Sequence, residues 1–122
     1  MDTRTKIVDA ARAAKIAREM RAEGRRVTLV SGYFDVLVAT MIERLRGLDG
    51  DVVMACVKEL PDALLASRAR AELVAALDMV DYVFLDGGAA AEIASDSVAS
   101  EEAAQGRDAM ALIEHVRQRH NA

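Results

Sequence analysis

Three short apolar runs constrain this chain more than any other feature: VTLV at 27–30, VVMACV at 52–57 and DYVFL at 81–85. A strand with one wet face alternates apolar and polar residues, whereas a strand covered on both faces reads as a continuous apolar run. Between the runs the spacing is helical. Asp9 offers an N-cap, Ala13, Ile16, Ala17 and Met20 recur on one side, and Gly24 suits a left-handed cap. Met41, Ile42, Leu45 and Leu48 mark a second helix, stopped near Gly47 and Gly50. Pro61 breaks the chain, and a third helix is expected from about Ser67 to Leu77, with Leu73, Val74 and Leu77 facing inward. Alternating short βα units predict an α/β fold: a three-layer, Rossmann-like parallel sheet with helices on both faces.

The last third is harder to read. A weak helix is expected around 89–94, a short strand at 97–100, and a final amphipathic helix carrying Ala109, Leu112, Ile113 and Val116, with Asp108 as its N-cap. The alanine-rich stretch 87–105 reads as a loosely ordered part of the same unit, and Glu101 and Glu102 as solvated surface. With no linker or repeat, residues 1–122 form one expected domain. Its 24 alanines against four aromatics mean that burial must come from close helix packing.

Sixteen Lys and Arg against 20 Asp and Glu leave a net charge of −4. Nucleic acid is therefore not an expected partner, because a phosphate backbone calls for a clustered basic face. Nor is a membrane, since no stretch approaches the roughly 20 apolar residues of a span. The single cysteine, Cys56, excludes an internal disulfide and suits a cytoplasmic protein. Lying mid-strand, it reads as a buried structural thiol. His115 and His120 are five residues apart, which does not put them on one helix face as a metal pair. With Arg117 and Arg119 they complement the carboxyl end of a helix dipole.

Ligands of parallel sheets sit at the carboxyl ends of the strands, where strand order reverses. Here the first strand runs into GYFDVLVATM, residues 32–41. Gly32 would allow backbone to approach a phosphate, and Asp35 would hold the turn by accepting local backbone hydrogen bonds. If an anion binds, its expected anchors are the backbone amides around Gly32 and Tyr33 with the side chains of Arg70 and Arg107. In the plainer reading Gly32 and Asp35 are turn residues, Phe34 a core anchor and Met41 a core methionine of the second helix. Arg70 has two readings as well: a pair with Asp81 or Glu59, or a phosphate contact.

VTLVSGYFDVLVATMIERLRGL resembles the opening of the cytidylyltransferase-like nucleotidylyltransferases, in which a strand leads into a G-x-F-D loop and an H-x-G-H motif. The nearest branch is that of the heptose-phosphate adenylyltransferases and glycerol-3-phosphate cytidylyltransferases. RAELVAALDMVDYVFL, residues 70–85, is similar to that branch's R-a-e-x-x-x-x-L-x-x-V-D-x-V segment. The resemblance covers residues 5–85 and implies the same α/β fold, CTP or ATP with Mg²⁺ as co-substrates, a phosphorylated sugar or polyol as acceptor, and a homodimer. Gly32, Phe34 and Asp35 match the loop; Arg70 and Asp81 match the second segment. The family's first histidine falls on Val38, its glycine on Thr40 and its second histidine on Met41. KELPDALLASRAR, 58–70, is shorter than the family's stretch, which supplies a lysine and part of the acceptor pocket; Lys58 is the available stand-in. Where the family opens its last helix with serine and threonine, this chain has Gly106, Arg107, Asp108 and Ala109.

Valine and methionine donate nothing to phosphate. Losing one preorganised donor to transition-state charge costs on the order of 10²–10³ in rate. Two functions follow. One is a degenerate, non-catalytic nucleotidylyltransferase-like domain acting as a nucleotide- or phosphate-binding, regulatory or assembly module. The other is an active nucleotidylyltransferase with a rearranged site built from Thr40, Lys58, Arg70 and Arg107.

Overall fold

A computed structural model describes residues 2–35, 37–87 and 93–120. Its elements are α1 (Ala10–Ala22), β1 (Val27–Gly32), α2 (Ala39–Arg46), β2 (Val52–Val57), α3 (Ser67–Ala75), β3 (Tyr82–Leu85), β4 (Ser97–Ser100) and α4 (Glu102–His120). All four strands are parallel, in the order β3-β2-β1-β4. The expected α/β sheet is present, with the three predicted runs at its centre and on one edge. The strand expected at 97–100 pairs with β1. The weak helix expected at 89–94 falls mostly outside the described residues.

Both faces of the sheet are covered at β1 and β2, which is why those runs read as apolar, whereas the edge strand β4 is largely exposed. On one face Val30, Val53, Ala55, Val57 and Val83 pack under α2 and α3 with Phe34, Met41, Leu45 and Val74. On the other, Leu29, Met54, Cys56 and Phe84 lie under Ala13, Ile16 and Ala17 of α1. Alanine at the helix contacts lets α1 and α3 lie close against the sheet, as the composition requires. Asp9 caps α1 by accepting from the Arg12 N–H at 2.7 Å, and Gly24, at φ +80°, ends it in the left-handed conformation.

The sheet is fastened along its amino-terminal edge by a repeated device. Asp51, Asp81 and Asp96 each immediately precede a strand. Each carboxylate accepts from the N–H of a residue on a neighbouring strand or just before one: Arg26, Val53 and Val27, all at 2.8 Å. Each backbone N–H donates back to the carbonyl of that same residue at 2.8–2.9 Å. Asp81 is thus committed to Val53 and does not pair with Arg70.

Two helix readings need correction. Leu73, expected inward, is 43% exposed, because α3 turns Arg70, Ala71, Val74 and Ala75 to the core instead. The final helix begins at Glu102, so Asp108 lies inside it rather than capping it. Its stripe of Leu112, Ile113 and Val116 is exposed, since α4 packs on α2 and β1 only near its start.

Candidate functional site

Strand order reverses between β1 and β4, so the crevice of this sheet opens where β1 runs into its loop and β4 into α4. The loop turns sharply at Phe34, whose φ of +51° is unusual for a bulky residue. The ring is fully buried under α2 and α3, and that burial offsets a backbone cost of about 1–2 kcal/mol. Phe34 is a core anchor, as the plainer reading had it. The turn leaves the N–H groups of Tyr33 and Phe34 facing the crevice, the arrangement an anion would use.

Gln105, one turn into α4, occupies that position. Its Oε1 accepts from the Tyr33 N–H at 2.6 Å and from the Phe34 N–H at 3.0 Å. Its Nε2 lies 3.6 Å from the Met41 sulfur. A Cβ on Gly32 would stand 2.5 Å from Gln105 Oε1, so the close approach that Gly32 permits is made by this side chain. The two amides are satisfied from within the chain.

Arg70 is also fully engaged and only 2% exposed. It donates to the carbonyls of Tyr33 at 2.7 Å, Lys58 at 2.9 Å and Leu65 at 3.1 Å, and to Ser67 Oγ at 3.2 Å. It therefore pairs with neither carboxylate considered for it, and its donors face chain carbonyls rather than the crevice. Asp35 accepts from the N–H groups of Leu64 and Leu65, both at 2.9 Å, and so holds a distant loop rather than its own turn. The short 58–66 connection is folded over the crevice by Asp35 and Arg70 together. Within it Pro61 and Asp62 form a tight turn, Asp62 at φ +60°, closed by the Ala63 N–H to the Leu60 carbonyl at 3.3 Å.

Val38, Thr40 and Met41, the positions onto which the resemblance maps a histidine motif, lie beside this crevice. Val38 caps α2 without a side-chain hydrogen bond, Met41 is buried, and Thr40 is exposed on the first turn. Arg107 is exposed on α4. What remains is an apolar cavity of about 260 Å³ walled chiefly by Val38, Met41, Leu60, Leu64, Leu112 and Ile113.

Residues read as solvated prove structural. Glu101, 9% exposed, accepts from Arg44 Nε at 3.0 Å, and Asp108 pairs with the same guanidinium at 2.6 Å. This clasp joins α2 to the first turns of α4. Glu102 lies at the carboxyl edge of the sheet, where its Oε1 accepts from Ser31 Oγ at 3.0 Å and stands 3.3 Å from Lys58 Nζ. Its Oε2 accepts from Ser100 Oγ. Burial opposes ionisation of Glu102, but the hydrogen bonds from Ser100, its own backbone, Ser31 and Lys58 outweigh it and hold the carboxyl below its ordinary range. The same bond raises the Lys58 pKa and ties that ammonium to a carboxylate. Beneath them burial, with Asp86 nearby, pushes the Cys56 thiol up to about 12.

Sequence reasoning missed Gln105, Arg44 and the Ser31–Lys58–Glu102–Ser100 cluster. The signal for the cluster was slight: a serine stands near the carboxyl end of β1, Ser31, and another at that of β4, Ser100. Among the described residues no group of three or more His, Cys, Asp and Glu side chains is placed to hold a metal, and no helix is long and apolar enough to cross a membrane. The chain matches no family model and no curated protein.

Proposed function

We propose that this chain is a non-catalytic, nucleotidylyltransferase-like domain that works in the cytoplasm as an assembly module. One observation carries the reading: the oxygen of Gln105 occupies the amides on which a phosphate would rest. A carbonyl oxygen presents negative charge, so a phosphate could enter only by displacing it. The nearby cations support the same view, since Arg70 holds carbonyls, Lys58 holds Glu102 and Arg44 holds Glu101 and Asp108. The crevice is apolar where phosphate chemistry needs donors. An unpaired, buried cysteine is in keeping with a reducing compartment.

Pyrophosphate release from CTP and ATP with Mg²⁺, over a panel of phosphorylated acceptors, tests this. No turnover and no thermal shift in millimolar nucleotide are expected. Multiple turnovers abolished by Lys58→Ala would establish the rearranged enzyme instead. Restoring the motif with Val38→His, Thr40→Gly and Met41→His is expected to leave the chain inactive, because position 41 is buried beside Gln105 and the 58–66 connection stays short.

A further inference from the structure

The cavity beside the crevice has fixed walls. One is the 58–66 connection, held by Asp35 through the Leu64 and Leu65 N–H groups and by Arg70 through the Lys58 and Leu65 carbonyls. The other is the start of α4, held to α2 by the clasp of Arg44 with Glu101 and Asp108. Walls pinned in this way preform a space of about 260 Å³, and an apolar space that cannot collapse costs stability until something fills it. An apolar cavity of about 150 Å³ takes benzene. This one has room for a pair of fused rings.

The chemistry of the wall narrows the occupant. Among the described residues that line it there is no lysine, arginine or histidine. Its two carboxylates are committed elsewhere: both oxygens of Asp35 accept from backbone N–H groups, and both of Asp108 face the Arg44 guanidinium. An anion would meet like charge and no cation, and a cation would meet carboxylates already engaged. Gln105, only 6% exposed, also lines the space. Its Oε1 is taken by the Tyr33 and Phe34 amides, but Nε2 carries two N–H groups and stands beside only the Met41 sulfur, at 3.6 Å. A thioether is a weak acceptor. The second N–H has no acceptor among the described residues, so an apolar wall holds one donor that a ligand can use.

We infer that this cavity binds a small uncharged molecule: an apolar body the size of a pair of fused rings, with one hydrogen-bond acceptor, a ketone or lactone oxygen, resting on Gln105 Nε2. Seated there, its outer edge covers Leu112 and Ile113, which are 38% and 47% exposed. This goes beyond the assembly reading and shares one premise with it, that Gln105 holds the Tyr33 and Phe34 amides. It is read from binding rather than turnover, so its failure and that of the non-catalytic reading are distinguishable.

Calorimetric titration of the full chain with four congeners on one ring frame tests it: indanone, indane, aminoindane and indane carboxylate. Indanone should bind, with a negative heat-capacity change and a concentration-dependent rise in thermal midpoint. Indane lacks the acceptor and should bind about three- to tenfold more weakly, the worth of one neutral hydrogen bond. The amine and the carboxylate should bind more weakly still. Gln105→Glu keeps an oxygen on the two amides but loses the donor, so indanone should fall to the level of indane. Val38→Phe and Leu112→Trp should each fill the space and abolish indanone binding. Leu112 is part-exposed, so its replacement should leave the thermal midpoint of the chain alone unlowered. No heat with any congener overturns the proposal, as does tightest binding by the amine or the carboxylate. So does equal affinity for indanone and indane, or binding that survives the filling substitutions.

Discussion

The side-chain oxygen of Gln105 lies 2.6 Å from the backbone nitrogen of Tyr33, and that contact places a glutamine on the amides of the loop between β1 and α2. The Tyr33 carbonyl is held in turn by Arg70 at 2.7 Å. One peptide segment is therefore clamped on both sides by residues from the two ends of the crevice.

Gln105→Ala should uncover both amides. The Phe34 N–H is buried, and an unsatisfied buried donor costs about 1–3 kcal/mol, so a fall of that size in urea stability is expected. Phosphate or sulfate should restore part of the loss in the variant and none in the parent. Gly32→Ala should destabilise the parent by about 1–3 kcal/mol through overpacking against Gln105, and by much less in the Gln105→Ala background. Additive effects in that double-mutant cycle would refute the contact.

Arg70 is expected to act on stability rather than on ligand affinity. Replacing it with methionine strands three carbonyls near a buried turn; with hydrogen bonds to a charged donor worth about 1.5–3 kcal/mol each, the loss should be several kcal/mol. Arg70→Lys should recover little, because an ammonium cannot span partners fixed in a planar fork. Chemical denaturation reads both. A stable Arg70→Met chain with altered anion binding would show the opposite role.

Acid should loosen the carboxyl half of the chain. The Val27 N–H holds Asp96 below its ordinary value of 3.8, and bonds from Ser100, Ser31 and Lys58 hold Glu102 below 4.5 despite burial. Folded values lower than unfolded ones mean stability that is present in full above the ordinary values and lost as pH falls through the folded ones. The urea midpoint should be level near neutrality and drop below about pH 4. Asp96→Asn and Glu102→Gln should each lower the plateau and flatten the drop. A midpoint that rises on acidification would contradict the assignment.

Cys56 should be chemically silent in the folded chain. Burial drives its pKa up to about 12, so the thiolate that reacts with disulfide reagents is scarce near neutral pH. Modification should begin only at denaturant concentrations that unfold the sheet. Rapid labelling of native protein would place the thiol near solvent.

The sheet was readable because continuous apolarity is the local trace of double coverage, and 27–30, 52–57 and 81–85 all lie in it, the third starting one residue later because Asp81 serves as a latch. The beginning of α4 was not readable. Its first turns follow alanine-rich sequence without helical periodicity, and their contacts, Gln105 to Tyr33 and Glu101 to Arg44, exist only because β4 lies beside β1. Arg70 escaped for another reason: its partners are carbonyls, which every residue carries and no side chain announces.

The aspartates before β2, β3 and β4 have a consequence for how such a chain can change. Each fixes the alignment of its strand from the amino-terminal edge, through its own carboxylate and amide. Register in this sheet is thus set at the end remote from the crevice. The carboxyl edge can change its side chains or admit a glutamine without shifting a strand. A domain built this way can lose one chemistry and take up another on an unaltered frame.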